Sequence, residues 1–82
     1  MGKTRLYVAQ INYQATDKDL HDLFAEYGTV KEAKIINDRN TGKSRGFGFV
    51  EMNTPAEAEA SLALDGERFM ERNIAVSFAK DK

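Results

Sequence analysis

Residues 45–52, Arg-Gly-Phe-Gly-Phe-Val-Glu-Met, place two aromatic rings at alternate positions beside an arginine. The run is rich in aromatic and β-branched residues and predicts a strand, whose successive side chains point to opposite faces. Arg45, Phe47 and Phe49 would then share one face, and Val50 would point to the other. Exposed rings can stack on nucleobases, each stack contributing about 1–3 kcal/mol, and a guanidinium beside them can bond a phosphate. The segment therefore indicates a surface for single-stranded nucleic acid.

Gly46 and Gly48 lie on either side of Phe47 in this strand. Glycine weakens a strand, and it is expected where another group approaches the backbone closely. The two glycines therefore predict a close approach to this part of the backbone.

The first strand and first helix are predicted from local patterns. Residues 5–11 are aliphatic, aromatic and β-branched, and alternation places Arg5 and Tyr7 on one face of that strand. Thr16 and Asp19 have the spacing of a capping box, and Gly28 predicts the C′ end of the helix. Between them, apolar residues recur at i, i+3, i+4 and i+7, which is one helical face: Leu20, Leu23, Phe24 and Tyr27.

The rest of the chain adds strands and a second helix. Residues 30–37 and 45–52 predict a hairpin around the polar turn 38–44. Thr54 as a cap and Pro55 at the first helical position predict a helix that runs to about Leu64. A short extended piece at 69–70 and a last strand at 74–79 follow.

These elements give the order βαββαβ. With right-handed crossovers, the four strands form one antiparallel sheet with both helices on one face. The other face is left open, and Tyr7, Phe47 and Phe49 would all point outward from it.

The faces of the second helix are less sharply patterned. We expect an inner stripe of four residues, Ala56, Ala60, Ala63 and Leu64. Ser61 would lie at the edge of that stripe, and Ala58 and Leu62 would lie on the outer face. An exposed Leu62 is then a candidate contact for a protein partner.

The net charge of −1 argues against a nucleic-acid binder, but the charges are segregated. Residues 12–28 and 52–71 hold nine acidic and two basic residues, whereas the remaining segments hold ten basic and four acidic. The absence of cysteine excludes disulfides and thiolate metal sites, and one histidine, His21, excludes a multi-histidine cage. No signal peptide, lipidation motif or membrane span is predicted, and we expect a cytoplasmic protein.

Residues 45–52 resemble the eight-residue signature of the RNA-recognition motif (RRM) family at seven of eight positions, with Met52 replacing the final aromatic. Residues 6–11 resemble the six-residue signature of the family, with Ala9-Gln10 in place of Gly-Asn. The resemblance covers the chain as one domain, 1–82, and is strongest to short cyanobacterial RNA-binding proteins. It implies a ferredoxin-like α+β sandwich that binds single-stranded RNA, or single-stranded DNA, without enzymatic activity, cofactor or metal.

The resemblance also implies roles for individual residues. Tyr7, Phe47 and Phe49 would stack on bases or riboses, and Arg45 would pair with phosphate. Secondary RNA contacts are expected from six further residues: Arg5, Lys34, Arg39, Lys43, Ser77 and Lys80. Glu71 stands where relatives usually have glycine, which predicts a strained or shifted last hairpin.

Other functions find weaker support. Residues 41–44, Thr-Gly-Lys-Ser, lack the earlier glycine of a phosphate-binding loop, and Gly46-Phe47-Gly48 lacks the third glycine of a dinucleotide fingerprint. His21 has no nucleophile to serve and is expected in solvent. An acylphosphatase-like enzyme would need a glycine-rich loop after the first strand, where residues 12–15 have none. The alternative that remains is a protein-interaction module that uses the helix faces.

Overall fold

The computed structural model describes residues 3–79. The elements are β1 (Arg5–Ala9), α1 (Asp17–Ala25), β2 (Val30–Asn37), β3 (Ser44–Met52), α2 (Pro55–Ser61), a 3₁₀ turn (Leu62–Leu64), β4 (Arg68–Phe69), β5 (Arg72–Asn73) and β6 (Ala75–Phe78). Strands β2-β3-β1-β6 form one antiparallel sheet in that order, and β4 and β5 form a separate small hairpin. The predicted α+β fold is confirmed. Within the described residues, no helix combines the length and the apolar character that crossing a bilayer requires.

The start of α1 has the predicted capping box. The Asp19 amide donates to Thr16 Oγ1 at 3.2 Å, and the Thr16 amide donates to Asp19 Oδ2 at 3.0 Å. Leu20 and Phe24 are fully buried, so the predicted inner face is confirmed. The predicted end is wrong: Glu26 is the C-cap, which leaves Gly28 two positions beyond it. Gly28 is instead required by a close contact, because a Cβ there would lie 2.6 Å from Cγ of Glu57.

The predicted inner stripe of the second helix is wrong at Ala56, Ala60 and Ala63, which are exposed, and correct at Leu64, which is buried. Ala58 and Ser61 are fully buried, and Leu62 is partly buried against the core. Leu62, at which a protein partner was expected, therefore faces the core in part and is not the exposed side chain that was predicted. Alanine occurs at so many positions of the segment that several faces look alike, and burying the larger leucine gains more free energy than burying Ala56 or Ala60. The Ser61 hydroxyl donates to the Glu57 carbonyl at 2.9 Å, which satisfies it in the core.

The two central strands divide their side chains between the core and the open face. Leu6 and Val8 of β1 and Val50 and Met52 of β3 are all fully buried beneath the helices. The intervening side chains, including Tyr7, point to the opposite face and are partly exposed. The predicted alternation is confirmed.

Gly48 lies against the backbone of β2. A Cβ at this position would overlap the Lys34 carbonyl oxygen and lie 3.0 Å from Cα of Ile35. The pairing of the two strands is irregular just beyond Ile35. The close approach predicted for this glycine is therefore made by the protein's own β2 backbone.

Aspartate side chains bond both outer strands of the sheet. Asp17 Oδ1 accepts the Ile35 amide of β2 at 2.7 Å. Asp65 Oδ1 accepts the Val76 amide of β6 at 2.9 Å. Asp17 thereby ties the start of α1 to β2, and Asp65 ties the end of the 3₁₀ turn to β6.

The β4–β5 hairpin turns through Met70 and Glu71, whose φ angles are +50° and +69°. Positive φ at both central residues is the requirement of a type I′ turn, which favours glycine and asparagine. For an ordinary side chain this conformation costs roughly 1–2 kcal/mol. The strain expected at Glu71 is therefore located in this turn.

Glu71→Gly should raise the free energy of unfolding by about 0.5–1 kcal/mol, because relief of the turn strain exceeds the entropic cost of a glycine. Urea denaturation at unchanged m-value measures the gain. Glu67→Gly is the matched control: it removes the same charge at an exposed position that lacks a positive φ, and it should destabilise. Equal effects of the two substitutions would contradict the assignment of strain.

Candidate nucleic-acid interface

Tyr7, Phe47 and Phe49, here called the sheet aromatics, lie together on the open face. Tyr7 is opposite Phe49 in the pairing of β1 with β3, and Phe47 is opposite Ala9. The Tyr7 ring centroid is 5.8 Å from that of Phe47 and 5.6 Å from that of Phe49, with tilts of 42° and 57°. These separations are typical of favourable aromatic pairs. The two central strands thus hold three partly exposed rings in a row, with Tyr7 between Phe47 and Phe49.

An arginine lies at each end of this row of rings. Arg5 Cζ is 5.7 Å from the Phe49 centroid, and Arg45 Cζ is 5.8 Å from the Phe47 centroid. Cation–π contact orients a guanidinium without consuming its N–H donors. Among residues 3–79 the ion pairs are Lys18–Asp22 and His21–Asp22, so neither arginine is in one. Both can donate to an anion that lies across the rings.

Besides Arg5, two of the expected secondary residues share this face. Lys34 is opposite Phe49 in the pairing of β2 with β3, is exposed, and lines a groove with Arg5. Ser77 is exposed on β6, opposite Tyr7. Glu51 also borders the groove, and its carboxylate accepts the Thr4 hydroxyl at 3.2 Å.

The basic residues of the 38–44 loop do not line the grooves beside the sheet aromatics. Arg39 is exposed in the turn, and Lys43 lines a separate cavity with Tyr13 and Asp17 rather than the groove beside the sheet aromatics. Asp38 shapes the loop, since its Oδ1 accepts the Asn40 amide at 2.7 Å and the Thr41 amide at 3.2 Å. These bonds hold the pKa of the Asp38 carboxyl below its usual range. Lys80 lies outside the described residues.

The opposite side of the domain is acidic. Asp19, Asp22 and Glu26 border a shallow groove between α1 and the small hairpin. Asp22 accepts from Lys18 Nζ at 3.0 Å, and this bond, with a weaker one from His21, holds its pKa below the usual range. His21 is exposed, with Nδ1 3.5 Å from Asp22 Oδ1. Its predicted solvent position is confirmed.

Two residues near the sheet aromatics were not predicted. Tyr13 is 64% exposed, and Arg72 Cζ lies 5.9 Å from its ring centroid. Both line the same groove as Tyr7, Phe47 and Arg45. Tyr13 lies in a polar loop and Arg72 in the small hairpin, so no periodic pattern marks either of them. The one sequence signal for this part of the site was an aromatic residue, Tyr13, within the loop 12–15.

The chemistry of this face is that of a shallow stacking surface. Its rings can cover planar π-systems, and the guanidiniums at its ends can bond anions. In residues 3–79, no three metal-ligating side chains cluster. An antiparallel α+β sandwich whose open sheet carries aromatic rings between cations defines a class of nucleic-acid-binding domains.

The chain belongs to the RNA recognition motif family, whose sequence profile matches residues 6–75. RbpA of Nostoc sp. strain PCC 7120 is 47% identical over 78 residues, which are 94% of this chain and 76% of that protein. The mitochondrial glycine-rich RNA-binding protein 5 of Arabidopsis thaliana is 39% identical over the whole chain, which spans 28% of that longer protein. The family expected from the two signatures is confirmed.

Solved structures agree with this assignment. The crystal structure of the RNA-binding protein PG1 matches with a TM-score of 0.91 at 39% identity, covering 96% of each chain. The Sxl-lethal protein in complex with RNA matches with a TM-score of 0.87 at 32% identity, covering 93% of this chain and 47% of that one.

Proposed function

We propose that residues 1–82 form a single domain that binds single-stranded RNA on the open face of the sheet. Tyr7, Phe47 and Phe49 stack on bases or riboses, and Arg45 and Arg5 bond phosphates at the two ends of the row. The observation that carries the proposal is the row of three partly exposed rings between two guanidiniums. The names of PG1 and of the plant relative as RNA-binding proteins support it.

The remaining sites have supporting roles. Lys34 and Ser77 border the rings and contact the backbone or base edges of a bound strand. Arg39 and Lys43 attract the strand from the 38–44 loop, and Lys80 adds a further secondary contact.

The expected affinity is modest. Three stacks contribute about 3–9 kcal/mol before the ordering cost of the strand is subtracted, and micromolar affinity corresponds to about −8 kcal/mol. We therefore expect micromolar or weaker binding. Stacking accepts every base, so the sequence preference should be limited, and single-stranded DNA is a competing ligand.

The alternative of a protein-interaction module on the helix faces loses its main support. Leu62, the outward leucine expected on α2, packs partly buried against the core. The sheet aromatics are also only partly exposed, but unlike Leu62 they do not pack against the core. Binding through the sheet is therefore favoured over binding through the helices.

Amide-shift mapping tests which face binds. Addition of an eight-nucleotide single-stranded RNA to the ¹⁵N-labelled protein should shift amides of β1 and β3, such as those of Tyr7 and Phe49. Amides on the outer side of α1 should stay in place, because a polyanion is repelled by Asp19, Asp22 and Glu26. The same sequence as DNA and as an RNA duplex provides the comparison. Shifts confined to α1 and α2, or an equal response to the duplex, would contradict the proposal.

A further inference from the structure

Tyr13 is the exposed large hydrophobic side chain of the described residues. A single exposed aromatic is ordinary on a protein surface. The position of this ring is not ordinary, because the ring is held in place by elements from three parts of the chain.

The first support is the start of β3. A Cβ at Gly46 would lie 2.9 Å from Cε1 of Tyr13, so the edge of the ring lies directly against the Gly46 backbone. The second support is Arg72 on β5, whose Cζ is 5.9 Å from the ring centroid. The ring therefore has a defined position between β3 and the small hairpin.

The third support is the loop that carries Tyr13. Asn12 Nδ2 donates to the Met70 carbonyl at 2.8 Å, which ties the loop to the small hairpin. Asn12 Oδ1 accepts the Gln14 amide at 2.8 Å, an Asx turn around Tyr13 itself. The Ile11 amide donates to the Gly46 carbonyl at 2.8 Å. A ring positioned in this way loses little conformational entropy when a ligand covers it.

The ring and its arginine continue the row of sheet aromatics. Tyr13 and Arg72 line one groove together with Tyr7, Phe47 and Arg45. The pairing of a ring with a guanidinium is also repeated: the distance from Cζ to the centroid is 5.8 Å for Arg45 and Phe47 and 5.9 Å for Arg72 and Tyr13. The chemistry that suits a nucleotide at Phe47 is therefore present a second time beside it.

We propose that Tyr13 and Arg72 form an additional nucleotide position at the margin of the sheet. One base of a strand that continues past Phe47 stacks on the Tyr13 ring, and Arg72 bonds the adjoining phosphate. This proposal rests on the proposed RNA-binding function and extends it beyond the sheet.

The test compares a short with a long ligand. A single-stranded RNA trinucleotide is accommodated by the sheet aromatics, whereas an octanucleotide reaches Tyr13. Tyr13→Ala should leave trinucleotide affinity within about twofold and weaken octanucleotide binding roughly 5- to 150-fold, the loss of one stacked base. Tyr13→Phe keeps the π-face and should bind the octanucleotide as the wild type does.

Arg72 has a matched control on the same hairpin. Arg72→Ala should reduce the slope of log K against log salt for the octanucleotide by about 0.7, the value for one phosphate contact with a single strand. Arg68→Ala removes an exposed charge from the neighbouring strand β4, outside the groove, and should leave the slope unchanged.

The outcomes separate this position from the sheet site. Unchanged octanucleotide binding by Tyr13→Ala would overturn the additional position while leaving the sheet site intact. Equal losses on both ligands would also overturn it, since Tyr13 would then act through the fold. If Phe47→Ala/Phe49→Ala bound the trinucleotide as tightly as the wild type, the proposed function itself would fail.

Discussion

Phe47→Ala/Phe49→Ala should weaken binding of a single-stranded RNA octanucleotide by at least about 30-fold. Each ring supplies one stack of about 1–3 kcal/mol, so the double variant loses about 2–6 kcal/mol of binding free energy. Tyr7 would remain, but it would lose both of its ring neighbours at 5.6 and 5.8 Å. Fluorescence anisotropy of a labelled oligonucleotide measures the loss.

The control for this variant keeps the rings. Phe47→Tyr/Phe49→Tyr preserves both π-faces on the partly exposed side of β3 and should bind within a few-fold of the wild type. Circular dichroism and thermal unfolding establish that the alanine variant is folded, as expected because neither ring belongs to the buried core. A folded alanine variant with wild-type affinity would exclude the sheet surface as the binding site.

Gly48→Ala should lower the free energy of unfolding by about 2–4 kcal/mol, at the upper end of the cost of overpacking. The added methyl group would overlap the Lys34 carbonyl oxygen and crowd Ile35 Cα at 3.0 Å, and both are backbone atoms that cannot rotate away. The pairing of β2 with β3 must therefore shift. For a domain of this size the loss corresponds to a fall in Tm of roughly 10–20 °C.

Gly42→Ala is the control that separates the effect of crowding on stability from the effect of backbone conformation. Gly42 has a φ of +74°, and nothing lies within 4 Å of a Cβ built there. Its replacement should cost only the conformational strain, about 1 kcal/mol. If Gly48→Ala proved no more destabilising than Gly42→Ala in chemical denaturation, the close contact between β2 and β3 would be refuted.

Local signals predicted the parts of the fold that local physics determines. The Thr16–Asp19 capping box and the spacing of Leu20 and Phe24 act within one helix, so they identified α1 and its buried face. Strand alternation identified the open face of β3 in the same way. Most of the inner face of α2 was mispredicted because alanines at many positions leave the helical orientation to tertiary packing, which buries Ala58 and Ser61.

The additional features of the site depend on contacts between distant segments. Tyr13 and Arg72 are far apart in sequence and meet where Asn12 bonds the Met70 carbonyl. Gly28 likewise owes its position to Glu57 on another helix, not to the end of its own. Periodicity and turn signals carry no information about such contacts.

The aspartate bonds at the outer strands bear on self-association. An edge strand offers unpaired amides on which a strand of a second molecule can add, the usual start of sheet-to-sheet aggregation. On β2 the Ile35 amide is already bonded by Asp17, and on β6 the Val76 amide is bonded by Asp65. β2 also has two irregularities and exposed charges at Lys31 and Lys34. Both edges therefore resist strand addition, which leaves the flat aromatic face open without extending the sheet into a polymer.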